Sequence, residues 1–146
     1  MASLFAQGNA ITADKLNGAY TAYSVVWSTT GSAPAIGNGS VSGAWQRLGD
    51  VMFVLVVLQW GTTTTSGTGA FKFSLPLAAS TTGSTPHDSG YGWGIDQGVA
   101  YYQGTIQLYD STHLIVSNSA GAWGATAPFT WGNTDELVAC GWFPIG

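Results

Sequence analysis

Charge is the scarcest thing in this chain. Charged residues fill 7% of its 146 positions, against the ~25% usual for a globular domain, and the strong bases are only Lys15, Arg47 and Lys72. Three dispersed cations can neither neutralise a run of phosphates nor hold a protein on anionic headgroups, so no nucleic acid and no membrane is expected as a partner. The single cysteine, Cys140, excludes an internal disulfide and a thiolate zinc cluster and reads as a small apolar residue in a final buried strand. His87 and His113 lie far apart, without ligand spacing, and no phosphate-cradling glycine loop precedes a helix, so no metal and no cofactor is expected. No apolar run approaches the ~18 residues of a membrane span; the longest is Val51 to Leu58. The first residues lack the basic and apolar regions of a secretory signal, which leads to the expectation of a protein that leaves its cell by lysis or on a particle.

Apolar residues are plentiful at 45%, with 21 glycines, seven tryptophans, six tyrosines and six phenylalanines. That balance excludes disorder and requires a surface built from Ser, Thr, Gly, Asn and Gln. So many rings in a small, poorly charged protein must be hidden, and subunit association is one way to hide them.

The stretch from Gly39 to Pro76 organises the rest. It reads as two long strands joined at Gly49-Asp50, where a first-position glycine suits a type II′ turn, followed by a Thr/Ser/Gly loop and a short third strand. If Leu48 faces Val51, then Arg47/Met52, Trp45/Val54, Gly43/Val56 and Val41/Leu58 share one nearly apolar face. The opposite face sets Phe53, Leu55 and Val57 beside Gln46, Ala44 and Ser42. A strand apolar on both sides needs a second covering layer, so Phe53, Leu55 and Val57 are the expected subunit interface.

Residues 1–20 read as an N-terminal arm, with one helical turn from Thr12 to Gly18: Thr12 as N-cap, Asp14 in the first turn, Gly18 at the end. Residues 21–146 read as one domain. Its further strands are expected at Tyr20 to Trp27, at Tyr101 to Tyr109 with His113 to Ser117 as its hairpin partner across an Asp110-Ser111 turn, at Phe129 to Trp131 and at Glu136 to Phe143, with loops at Ala78 to Ser89 and Asn118 to Thr126. Gly90 to Asp96 alternates glycine with large residues, which leaves one face bare, and is read as part of a loop region. Roughly eight to ten short strands with turn signals between them suit an all-β, jelly-roll-like antiparallel β-sandwich.

Trp60-Gly61-Thr62-Thr63-Thr64-Thr65, Gly67-Thr68-Gly69 and Phe71-Lys72-Phe73-Ser74-Leu75-Pro76 form a run that resembles the C-terminal β domain of bacteriophage tail and fibre proteins, notably of actinobacterial phages. Tyr102 to Tyr109, Thr126 to Trp131 and Asp135-Glu136-Leu137 running into Gly141-Trp142-Phe143 are similar to the same family in order and spacing. The resemblance, spanning Gly39 to Phe143, implies a trimeric β-sandwich head carried on a virion assembled in the host cytoplasm, often presented to the host surface, with no shared catalytic residues. The segment Ile11 to Asn17 also resembles pieces upstream of such heads, which makes Ile11 and Leu16 the expected contacts to other virion proteins.

Catalysis has little to work with. Glycoside hydrolysis needs two flanking carboxylates; Asp50, Asp110 and Asp135 fall in turns, where aspartate serves the backbone. Asp88 and Asp96 alone sit in loop-rich surroundings, where with loop carbonyls they are also the one set compatible with calcium. No nucleophile elbow accompanies either histidine. Glycan recognition asks for exposed rings beside carboxamides or carboxylates, and Tyr91, Trp93, Asp96 and Trp123 qualify, with Tyr101 at the margin. Trp45, Trp60, Phe71, Phe73, Trp131 and Trp142 are assigned to the core. The expectation is a non-enzymatic virion protein whose trimeric head recognises a host-surface glycan; the alternatives are a purely structural capsid-decorating or tail-cementing trimer and a polysaccharide-degrading enzyme.

Overall fold

The hairpin around Gly49 is the spine of the structure, a computed structural model that describes residues 20–81 and 89–146. Among the described residues ten strands follow one another: β1 (Thr21–Tyr23), β2 (Trp27–Thr29), β3 (Ser40–Leu48), β4 (Val51–Gln59), β5 (Phe71–Ser74), β6 (Gly90–Asp96), β7 (Ala100–Asp110), β8 (His113–Asn118), β9 (Gly121–Ala122) and β10 (Glu136–Pro144). β3 and β4 pair in the register expected of them, Leu48 with Val51 through Val41 with Leu58. Gly49 has φ 61° and Asp50 is not left-handed, which is the backbone of a type II′ rather than a type I′ turn. Met52, Val54, Val56 and Leu58 are fully buried, and Phe53, Leu55 and Val57 are half-buried on the other side.

All ten strands belong to one antiparallel sheet in the order β1-β3-β4-β10-β6-β7-β8-β5-β2, with β9 beside β8. The two ends of that path, β1 and β2, are separated in sequence only by Ser24, Val25 and Val26. Three linking residues reach no more than about 14 Å, so the sheet has to curl until its edges meet. The seam is tied by the Tyr23 hydroxyl, which donates to the Ser74 carbonyl at 3.1 Å, and by the Val26 N–H, which donates to the Ser74 hydroxyl at 2.8 Å. Burial pushes the Tyr23 phenol above its ordinary pKa. The single strand expected from Tyr20 to Trp27 is therefore two short ones, because the chain leaves one edge of the sheet and joins the other in mid-segment.

The inner side of the curl holds the core, closed at one end by rings. Trp60 stacks on Trp131 at 4.7 Å, Phe129 lies 4.3 Å from Trp131, and Trp27 meets Trp60 edge-on at 5.2 Å. Phe129 to Trp131 is not the expected strand: Pro128 just before it offers no N–H to a ladder, and the segment instead turns both rings inward, with Trp131 Nε1 donating to the Gly124 carbonyl at 2.9 Å. Trp142 is a second correction. On β10, Leu137, Ala139 and Phe143 point inward and are fully buried, so alternation sends Trp142 outward, where it is 46% exposed. Cys140 lies on the same outer side and is exposed, not buried as expected. The expected helical turn, with Ile11 and Leu16, lies outside the described residues, as do His87 and Asp88.

Asp135 holds the ring-bearing loop to the sheet. Its buried carboxylate accepts from the Gly132 N–H at 2.6 Å and the Gln97 N–H at 2.9 Å. Asp135→Ala is expected to cost about 2–3 kcal/mol, since two charge-assisted bonds are lost and two amides are left without an acceptor; urea denaturation measures it.

Candidate functional site

Gly90 to Asp96, expected in a loop region, is instead the strand β6, and alternation along it gives its two faces different tasks. Gly92 and Gly94 lie inward, where the space a side chain would need is taken: a Cβ on Gly94 would sit 3.1–3.3 Å from Phe129, Trp131 and Trp123, and one on Gly92 would strike Val116. Core rings thus press on bare backbone, and Tyr91 and Trp93 project from the outer face, 56% and 43% exposed. β7 continues the pattern. Tyr101 is 72% exposed and lies beside Ile95; Gln103 pairs with Trp93, and Thr105 pairs with Tyr91.

Carried across β10 and β4, the outer face becomes a set of rows. Gln103, Trp93, Val138, Val57 and Ser42 form one, and Thr105, Tyr91, Cys140, Leu55 and Ala44 the next. Tyr101, Ile95, Glu136 and Gln59 form a third, in which Gln59 Nε2 donates to Glu136 Oε1 at 3.2 Å. Phe53 lies beside Trp142. The expected interface residues and the exposed rings therefore share one continuous face, apolar over β4 and β10 and ring-bearing over β6 and β7.

A shallow recess of about 320 Å³ opens beside the rings, lined by Gln103, Gly104, Thr105, Ser117, Asn118 and Ser119. Thr105 is in register with both Tyr91 and Ser117, so the recess begins where the ring row ends. None of its lining side chains is charged. The sequence reading missed this group, although the signal was there: in a strand of period two, Tyr101, Gln103 and Thr105 must share a face, and that face is the one opposite the glycines of β6.

Of the expected ligand residues, Tyr91, Trp93 and Tyr101 come together and two do not. Trp123 is fully buried beneath Gly104 and Gly94, 6.3 Å from Trp131, and cannot meet a ligand. Asp96 ends β6 on the side of Gly92 and Gly94, opposite the rings, and its carbonyl accepts from Val99 N–H to close the turn to β7.

Among the described residues the one close histidine–carboxylate pair, Asp110 with His113, is turn architecture. Asp110 Oδ1 accepts from the Thr112 N–H at 2.7 Å and from its hydroxyl at 2.9 Å, and lies 3.0 Å from His113 Nδ1. Partial burial alone would raise the Asp110 pKa, but the Thr112 amide and hydroxyl and the His113 ring outweigh it and hold the carboxyl at about 2. Every one of these partners lies within the β7–β8 turn. Among the described residues no three His, Cys, Asp or Glu side chains converge as a metal site. No protein-family model, curated protein or solved structure matches the chain.

Proposed function

We propose that the chain is a phage virion protein whose jelly-roll-like head forms a homotrimer and recognises a host-surface glycan without catalysis. The observation that carries this reading is the outer face of β6 and β7: exposed Tyr91, Trp93 and Tyr101 beside the Gln103 amide and a recess of hydroxyls and amides. Pyranose rings stack their C–H faces on aromatic rings and direct hydroxyls to amides and hydroxyls at the rim. The resemblance to fibre heads agrees with it. Three copies on one particle raise weak single-site binding through multivalency. Ile11 and Leu16 would anchor the head to other virion proteins.

Cell walls prepared from a panel of actinobacteria test the reading. The chain is expected to sediment with at least one of them, and Trp93→Ala to lose that binding by about tenfold or more. Absence of wall binding by the native chain favours the second reading, a purely structural decorating trimer. The apolar half of the outer face, Phe53, Leu55, Val57 and Trp142, supplies that role with a subunit contact whether or not a ligand exists. Leu55 is the centre of that contact. Light scattering is expected to give a trimer for the native chain and a monomer for Leu55→Lys, because a lysine there would have to be desolvated without a partner. A monomeric native chain removes the trimer from both readings.

A further inference from the structure

The face built by β6, β7 and β8 has a composition that narrows the ligand. Tyr91 and Trp93 occupy alternate positions of β6, so their attachment points lie about 6.6 Å apart along the strand. Tyr101 extends the row by one further position, displaced onto β7 beside Ile95. The floor is therefore a short open strip of rings and not a closed pocket, and the recess runs along one side of it, with Gln103 next to Trp93 and Thr105 next to Tyr91. An open strip seats internal units of an extended chain as readily as its end.

Charge sets the second limit. The three register rows that cross Tyr91, Trp93 and Tyr101 contain no lysine or arginine, and their one carboxylate, Glu136, is engaged by Gln59. Arg47 is held at the β3–β4 turn by the Gly49 carbonyl and Asp50, and the Lys72 ammonium sits over the Tyr109 ring at 5.0 Å on β5. Among the described residues an anionic sugar laid on this strip would meet no cation to replace the hydration it gives up. A neutral sugar gives up only hydroxyl hydration, and Gln103, Thr105, Ser117, Asn118 and Ser119 present amides and hydroxyls that replace it.

We infer that the strip of Tyr91, Trp93 and Tyr101 with its neighbouring recess binds a neutral, extended polysaccharide, one pyranose on Trp93 and another on Tyr91, with hydroxyls turned into the recess. This rests on the glycan-recognition reading and narrows it to an uncharged polymer. Neither metal nor ion pairing is involved, so binding is insensitive to salt and to chelator.

Native affinity electrophoresis of the full chain tests it, in gels cast with neutral polymers (galactomannan, glucomannan, mixed-linkage β-glucan, arabinogalactan) or acidic ones (polygalacturonate, alginate). At least one neutral polymer is expected to retard the chain, equally at low and high salt and with EDTA. The apparent dissociation constant is expected to rise about tenfold in Trp93→Ala and severalfold in Tyr91→Ala and Gln103→Ala. Tyr109→Ala, an exposed ring elsewhere on β7, is expected to change nothing. Retardation by acidic polymers alone, weakened by salt, overturns the neutral class but leaves glycan recognition standing. Neutral retardation that ignores Trp93→Ala overturns the site. No retardation by any neutral polymer overturns the inference, while wall sedimentation by the same preparation decides the broader reading separately. A change of solution mass in Trp93→Ala without loss of retardation makes the rings a subunit contact and also overturns it.

Discussion

Trp123→Ala is expected to lose about 3–5 kcal/mol of stability, the range for emptying the site of a buried aromatic side chain, while Trp93→Ala loses less than about 1 kcal/mol. A domain of this size commands only about 5–15 kcal/mol in total, so the first variant is expected to lose a large share of its stability and the second to stay close to the native chain. The difference follows from position. Trp123 has no exposed surface, and its ring fills the space under Gly104 and Gly94 and leans on Trp131. Its backbone also joins two parts of the sheet, the N–H donating to Val116 and the carbonyl accepting from Phe71, both at 2.8 Å. The indole Nε1 is buried without an acceptor, so Trp123→Phe is expected to keep most of the stability: it gives up only the outer part of the ring's packing and removes an unmatched donor. Urea denaturation of the three variants makes the comparison. A Trp123→Ala protein of native stability that no longer binds walls would show that the buried assignment is wrong and that Trp123 meets the ligand.

The two misplaced tryptophans mark the boundary of what the sequence makes legible. The β3–β4 register could be read outright, because a two-residue turn leaves no freedom in the pairing and period two then assigns every side chain to a face. The same rule alone does not orient β10. Leu137, Ala139 and Phe143 on one side and Val138, Cys140 and Trp142 on the other are both apolar, and only the pairing with Val54 and Val56 decides which set faces the core. Trp123 is a different case. It sits in a loop rich in small residues, and what buries it is the absence of side chains at Gly94 and Gly104, which reach it only through the tertiary fold. The Gly-Tyr-Gly-Trp-Gly alternation was readable as one bare face and one ringed face, but which side would be covered by core rings was not. The outward group on β7 was within reach, since Gln103 and Thr105 alternate with Tyr101, and His113 to Ser117 pairs with that strand as the Asp110-Ser111 turn suggests. What the turn does not show is the register shift between Leu108 and Asp110 that sets Ser117 opposite Thr105 and so brings Ser117, Asn118 and Ser119 to the recess.

That dependence on bare backbone gives the last prediction its size. Gly104→Ala is expected to destabilise by about 3 kcal/mol and to disable the recess together with the core, although it adds a single methyl group. A Cβ on Gly104 would stand 2.7 Å from the Trp123 ring, 2.8 Å from the Ser117 carbonyl and 2.9 Å from a Val116 methyl. The carbonyl cannot rotate away as a side chain can, since Ser117 lies in the β8 ladder opposite Thr105. Relief requires β7 and β8 to separate, and those two strands line the recess. The double variant Gly104→Ala with Trp123→Phe is expected to recover part of the loss by trimming the ring, but not the part due to the carbonyl. A cycle of the two substitutions measured by urea denaturation separates the shares. A near-neutral Gly104→Ala would mean that the two strands do not approach as closely as the packing of Trp123 requires, and the recess beside Trp93 would lose its structural basis as well.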